Sequence, residues 1–168
     1  MNFSTLSNIC SFVSEKTKVS NLSLNNYIST ENMLPNKGGV ALSSSLPPTV
    51  QTQSFNVGDV LISNIRPYFK KIWLAEEHGG CSNDILVLRA KPNTIPEFLY
   101  YVLANDSFFD YSMQTAKGTK MPRGDKKAMM LYEVPCVDIE TQRDVSRILL
   151  SIDKKIKLNN QINDNLVA

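Results

Sequence analysis

The chain has 168 residues, a formal net charge of +2, 42% hydrophobic and 20% charged residues. That length buries one good core, and that composition excludes a disordered or fibrous class. Three cysteines at wide spacing, Cys10, Cys81 and Cys136, argue against a disulfide framework and for a reducing compartment, the cytoplasm by default; no stretch approaches the roughly 18 apolar residues of a membrane span, and the amino terminus lacks the basic and apolar pattern of a signal peptide.

Residues 1–34 mix Ser, Asn and Thr with scattered apolar positions, and only residues 9–13 and Tyr27-Ile28 read as core, which predicts one short helix or strand. From Pro35 to Pro48 the pairs Gly38-Gly39 and Pro47-Pro48 mark turns and an exposed loop. Gly58-Asp59 then turns the chain into a buried strand, Val60-Leu61-Ile62, which Pro67 ends. Residues 72–75 and 85–89 read as two further strands, and the turn formers between them, Gly79-Gly80 and Ser82-Asn83-Asp84, predict a hairpin-like unit. Thr94 and Pro96 open a helix whose Phe98, Leu99, Tyr101, Val102 and Phe108 face a core. Gly118 begins a polar loop, and residues 131–137 read as an edge strand because Pro135 lacks a ladder donor.

Asp138 is the expected N-cap of a closing helix. Val145, Ile148, Leu149, Ile152, Ile156, Ile162 and Leu166 recur at three- and four-residue intervals with Asn159 on the same stripe, while Leu158 lies off it. Over residues 139–166 such a helix extends about 40 Å, more than a small domain needs for its own core. Its charges balance, which favours pairing with another helix over phosphate binding; a helix packed on its own domain is the competing reading. Two units are therefore expected, residues 1–137 and residues 138–168.

With so small an overall charge, the distribution has to carry any argument for nucleic acid. Residues 117–127 hold Lys117, Lys120, Arg123, Lys126 and Lys127 against Asp125 alone, and Arg66, Lys70 and Lys71 share a six-residue stretch without an acid. Arg and Asn are the efficient readers of guanine and adenine edges, so Asn64, Arg66, Asn83, Lys120 and Arg123 are candidates for base contact. Lys70, Lys71, Lys117, Lys126 and Lys127 are candidates for phosphate contact, and Tyr68 for sugar or a thymine methyl. Against this, Arg66 serves equally well to neutralise Glu76 or Asp84, and Asn83-Asp84 to cap its own turn.

The residues of several chemistries are missing. An adenine methyltransferase needs Asn or Asp before two prolines and an aromatic, but Pro47-Pro48 stands between Leu46 and Thr49. No phosphate-cradling Gly-Lys-Ser/Thr loop is present. His78 and Cys81 supply two ligands where a structural zinc needs four, and Glu76 and Glu77 crowd the one histidine that could serve as a base. A metal-dependent nuclease built on Asp59, Asp84 and Glu97 with Lys91 stays open as an alternative.

Residues 57–166 resemble the target-recognition domain and spacer helix of the specificity (S) subunit of type I restriction–modification enzymes. The resemblance is carried by Gly58-Asp59-Val60-Leu61-Ile62-Ser63 with Arg66, by Ser82-Asn83-Asp84, by Gly118-Thr119 with Pro122-Arg123, and by Pro135 ahead of Gln142 and the run from Ile148 to Ile156; Tyr27 to Asn32 is a weaker part of it. It implies a compact α/β (α+β) target-recognition domain with a twisted sheet and short helices, then a long coiled-coil spacer helix. It also implies double-stranded DNA as the ligand, with Ser82 and Thr119 among the contacts, and no catalytic residue, cofactor or metal in this chain. Methyltransferase (M) subunits, which use S-adenosylmethionine, and through them restriction (R) subunits are the implied partners. With one recognition domain and one spacer, a second copy or another specificity half is expected through the helix, and two copies would read a palindrome. A truncated or decoy fragment that binds M subunits but no DNA is the competing interpretation.

Overall fold

The computed structural model describes residues 2–167; Met1 and Ala168, the outer ends of the two expected units, lie outside the described residues. The chain begins with strand β1 (Phe3–Thr5), a one-turn helix α1 (Leu6–Ile9), and strands β2 (Cys10–Phe12), β3 (Lys16–Lys18) and β4 (Tyr27–Ile28). Then come β5 (Gln51–Phe55), β6 (Val60–Ser63), β7 (Ile72–Leu74), β8 (Gly79–Cys81) and β9 (Ile85–Ala90). Helices α2 (Pro96–Leu103), α3 (Asp106–Gln114) and α4 (Lys126–Met129) precede β10 (Glu133–Pro135) and the long helix α5 (Ile139–Val167).

The central layer is an antiparallel sheet in the order β2-β9-β6-β7. Side chains alternate across a strand, so β6 and β9 serve two cores at once. Val60, Ile62, Leu86 and Leu88 join Leu99, Leu103, Phe108, Phe109 and Met129 of the helices on one face. Leu61, Ile85 and Val87 join Ile28, Met33, Phe55 and Cys81 on the other. Burial on both faces is why these strands read as unbroken apolar runs rather than as polar–apolar alternation. Each large side chain so buried contributes on the order of 1.5–3 kcal/mol.

The second core is closed by another sheet, ordered β3-β5-β8-β4, with β4 parallel to β8 and the other pairs antiparallel. This corrects the expected hairpin between residues 72–75 and 85–89. β6 lies between β7 and β9, and the presumed turn contains β8, which belongs to the other sheet. Gly79 and Gly80 allow that placement because a Cβ on Gly79 would strike the Asn26 carbonyl and the Phe55 ring, and one on Gly80 would strike Leu22. The amino-terminal region likewise holds four strands and two helical turns, α1 and a 3-10 turn at Val19–Asn21, where one element was expected, because short strands rich in Ser, Thr and Lys carry no hydrophobic period.

Helix α2 starts after Ile95, not Thr94, and Phe108 belongs to α3, which Asn105 caps by accepting the Ser107 N–H at 3.0 Å. Strand β10 pairs with β1 in a separate two-stranded sheet, with Pro135 opposite Phe3. Asp138 caps α5 as expected, accepting the Thr141 N–H at 2.8 Å. The root of α5 is locked by Gln142, only 4% exposed: its Oε1 accepts the Ile95 N–H at 2.9 Å, and its Nε2 donates to the carbonyls of Val137 at 3.1 Å and Asn93 at 3.2 Å. Farther along, the Tyr101 hydroxyl donates to Asp153 at 2.7 Å.

The docked face of α5 is thus Gln142, Ser146, Leu149 and Leu150, of which Leu149 leaves the expected stripe. The remainder of that stripe, Val145, Ile148, Ile152, Ile156, Asn159, Ile162 and Leu166, is exposed, as is every residue from Ser151 to Leu166. Beyond Asp153 the helix projects about 20 Å at the usual rise. No helix among the described residues is long and apolar enough to cross a membrane.

Candidate nucleic-acid interface

Three loops that are far apart in sequence converge where β6 ends. The Asn64 N–H donates to the Asp84 carbonyl at 2.8 Å, the Arg66 N–H to the Pro122 carbonyl at 2.8 Å, and the Gly124 N–H to the Asn64 carbonyl at 3.2 Å. Ile65 also forms a β-bridge with Arg123. The loop from Lys117 to Arg123 closes on itself through reciprocal N–H to carbonyl bonds of 2.9 Å between those two residues, and Gly118 takes the left-handed φ of 89° that the closure requires. Thr119, Lys120 and Met121 are therefore held out at its tip, exposed.

Across this junction Arg123 Nη1 meets Asp84 Oδ1 at 2.9 Å, so Arg123, not Arg66, neutralises Asp84. Arg66 is exposed and makes no salt bridge among the described residues. It has φ 51° and ψ 65°, and Lys70, on the far side of the short turn Pro67–Phe69, has φ 51° and ψ 45°. A left-handed conformation at a side-chain-bearing residue costs on the order of 1 kcal/mol or more, and such strain clusters at ligand-binding sites. Between them Tyr68 and Phe69 are 47% and 39% exposed, with ring centroids 4.7 Å apart. Lys71 lies 5.7 Å from the Phe69 ring.

The remaining candidates divide by what already holds them. Ser82 is half-buried and Asn83 exposed in the turn before β9. Lys117 pairs with Asp125 at 2.6 Å, and that bond, with the Ala128 and Lys127 N–H groups that Asp125 caps, holds its carboxyl below the usual range. Lys126 extends over Phe12 at 5.8 Å, whereas Lys120 and Lys127 are exposed and make no salt bridge among the described residues. Asn64 lies in the loop after β6, but not open to contact. It is buried, and its Oδ1 has no hydrogen-bond partner, like the nearby buried Ser112 Oγ. Both oxygens face Gly124, where a Cβ would collide with Met129.

One cation and one anion of this surface, Lys37 and Asp106, carry no signal in the sequence, and they meet beside Lys70. Lys37 and Lys70 both reach Asp106, and their hydrogen bonds hold its carboxyl below the usual range. Lys37 and Asp106 lie 69 residues apart in the sequence, so no local pattern could have joined them.

The nuclease residues do not gather. Asp59 is buried and held by Arg89 at 2.7 and 2.9 Å, Asp84 is held by Arg123, and Glu97 sits in the first turn of α2. Among the described residues no three His, Cys, Asp or Glu side chains form a metal-holding group. Cys10 and Cys81 lie in different cores, where burial pushes each thiol up to about 12.

Known proteins resemble this chain in sequence and in fold. Over 99 residues the chain is 27% identical to the type I restriction enzyme EcoDI specificity subunit of Escherichia coli, covering 59% of this chain and 22% of that one. Over 125 residues it is 26% identical to the HindI specificity subunit of Haemophilus influenzae, covering 71% and 27%. The fold matches the HsdS subunit from Thermoanaerobacter tengcongensis with a TM-score of 0.71 at 19% identity, over 96% of this chain and 44% of that one. It also matches the S subunit from M. genitalium with a TM-score of 0.64 at 15% identity, over 93% and 40%. The chain thus spans about a quarter of the curated relatives and less than half of the solved structures. The model of one family, the type I restriction modification DNA specificity domain, matches residues 1–168, and the chain belongs to that family.

Proposed function

We propose that this chain is a non-catalytic specificity module that reads one half of a double-stranded DNA target. The observation that carries the reading is the junction at Arg66, where backbone bonds tie the loops of Asn64, Asp84 and Pro122-Arg123 into one surface. Loops fixed to each other in this way present donors at set spacing, which direct readout of a groove needs. In this reading Arg66, Asn83, Lys120 and Arg123 meet base edges, Lys70, Lys71, Lys117, Lys126 and Lys127 meet phosphates, and Tyr68, Ser82 and Thr119 contact the sugar–phosphate surface or a thymine methyl. Asn64, being buried, serves by shaping the junction.

Helix α5 joins this surface to a second copy of the chain or to another specificity half through Ile148, Ile152, Ile156, Ile162 and Leu166. Methyltransferase subunits, and through them restriction subunits, take their address from the assembled pair. The buried thiols suit the reducing cytoplasm.

Selection of duplexes from a random pool by the full chain tests the reading, followed by Arg123→Ala against the selected sequence. The reading expects an enriched motif. Arg123→Ala weakens binding to all duplexes alike if Arg123 meets phosphate, and relaxes one base position by about 1–3 kcal/mol if it reads a base. No enriched motif, together with unchanged binding by Arg123→Ala, would overturn it.

A further inference from the structure

Residues 35–38 lie against residues 66–71. The Asn36 N–H donates to the Phe69 carbonyl at 2.8 Å, the Lys37 N–H to the Lys70 carbonyl at 2.9 Å, and the Lys71 ammonium to the Thr30 carbonyl. Among the described residues, the non-glycine positions with left-handed φ are Asn36, Lys37, Arg66 and Lys70, all in these two segments. From each side of this seam a lysine reaches into the first turn of α3. Lys37 Nζ approaches Asp106 at 2.7 Å and Lys70 Nζ at 3.1 Å, and both meet the same oxygen, Oδ1.

Two ammonium groups drawn to one point repel each other unless an anion stands between them, so Asp106 is what stabilises the arrangement in the free chain. It is not a buried lock. The Asp106 side chain is 59% exposed, against 34% for Lys37 and 29% for Lys70. Ion pairs this exposed are weak, and a phosphate oxygen is the same kind of acceptor as a carboxylate oxygen. The seam runs directly into the surface described above, because the Phe69 N–H bonds the Arg66 carbonyl at 3.0 Å and the Arg66 N–H bonds Pro122 at 2.8 Å.

Resting on the reading of the chain as a duplex-DNA reader, we propose that Lys37 and Lys70 form a clamp for one backbone phosphate, with Asp106 as its resident counter-ion, displaced when the duplex docks. Asp106 then works as a repulsive element. It lowers the charge offered to the backbone from two to one, so a duplex in the wrong register gains too little at the clamp to hold it open.

The salt dependence of binding to a mixed-sequence duplex by the full chain tests this. Each unit of charge brought to the backbone changes the slope of log affinity against log salt by about 0.9, or roughly threefold in affinity over a fourfold change in salt. Asp106→Asn is expected to tighten low-salt binding to all duplexes and steepen the slope by about one such unit. Lys37→Ala is expected to flatten it by the same amount, and the double variant to return it to the wild-type value. If Asp106 is only a strut tying the two segments to α3, Asp106→Asn weakens binding instead, and that sign, or a slope unmoved in all three variants, overturns the clamp. An effect of Arg123→Ala beside an unmoved Asp106→Asn sinks the clamp alone. A wild-type chain that holds no duplex at any salt sinks both the clamp and the reading beneath it.

Discussion

In strand β6 the residues Val60–Ser63 are all buried, whereas in helix α5 Ile148, Ile152, Ile156 and Ile162 are 47–60% exposed. Both segments carry apolar residues in a pattern suited to the element they form, a continuous run in β6 and a three- and four-residue recurrence in α5. The difference lies in what each has to pack against. β6 has a layer on either side, helices over Val60 and Ile62 and the second sheet over Leu61. Helix α5 meets its own body through a face led by Gln142 and Ser146, and turns its isoleucines away. Hydrophobic period thus fixes the shape of an element, but not whether its own chain supplies the cover.

That contrast can be broken at three points of decreasing cost to the fold. Ile62→Ala, inside the body, is expected to lose about 2–5 kcal/mol in urea unfolding, through lost transfer energy and a cavity. Gln142→Ala, at the joint, strips the partners from the Ile95 N–H and two carbonyls and is expected to lose about 1–3 kcal/mol. The same variant should also raise amide exchange at Ile95. Ile152→Glu with Ile156→Glu, on the projecting stripe, is expected to shift the unfolding of the isolated chain by less than about 0.5 kcal/mol per site. That double variant should nevertheless abolish self-association in sedimentation, and a pair that still associates at wild-type strength would remove the stripe from the joint.

The body's two-faced strands and the helix were legible because long apolar patterns leave little choice: the runs at Val60 and Ile85 and the cap at Asp138 all appear where the residues put them. Short elements without a hydrophobic period were not legible. β8 is Gly-Gly-Cys, which locally is turn chemistry and becomes a strand only because Asn26, Leu22 and Phe55 need a neighbour with no side chain. The same limit applies at the candidate interface. Arg66, Lys70, Lys71 and the residues from Lys117 to Lys127 stand out as local cationic runs, and the structure gathers Arg66 and Arg123 at one junction. Lys37 and Asp106 carry no such signal, since each is an ordinary charge until folding sets them against each other. Asn64 misled in the opposite direction: Pro67 correctly marks the end of the strand, yet the loop of Gly124 folds over the residue and covers it.

The pairing of β1 with β10 has a consequence for biosynthesis. Phe3–Thr5 leaves the ribosome long before its hydrogen-bonding mate and must wait until nearly the whole body between them has been made before Glu133–Pro135 arrives. Helix α5, with its exposed apolar stripe, emerges immediately afterwards. Closure of the globule and emergence of the exposed helix are therefore successive events.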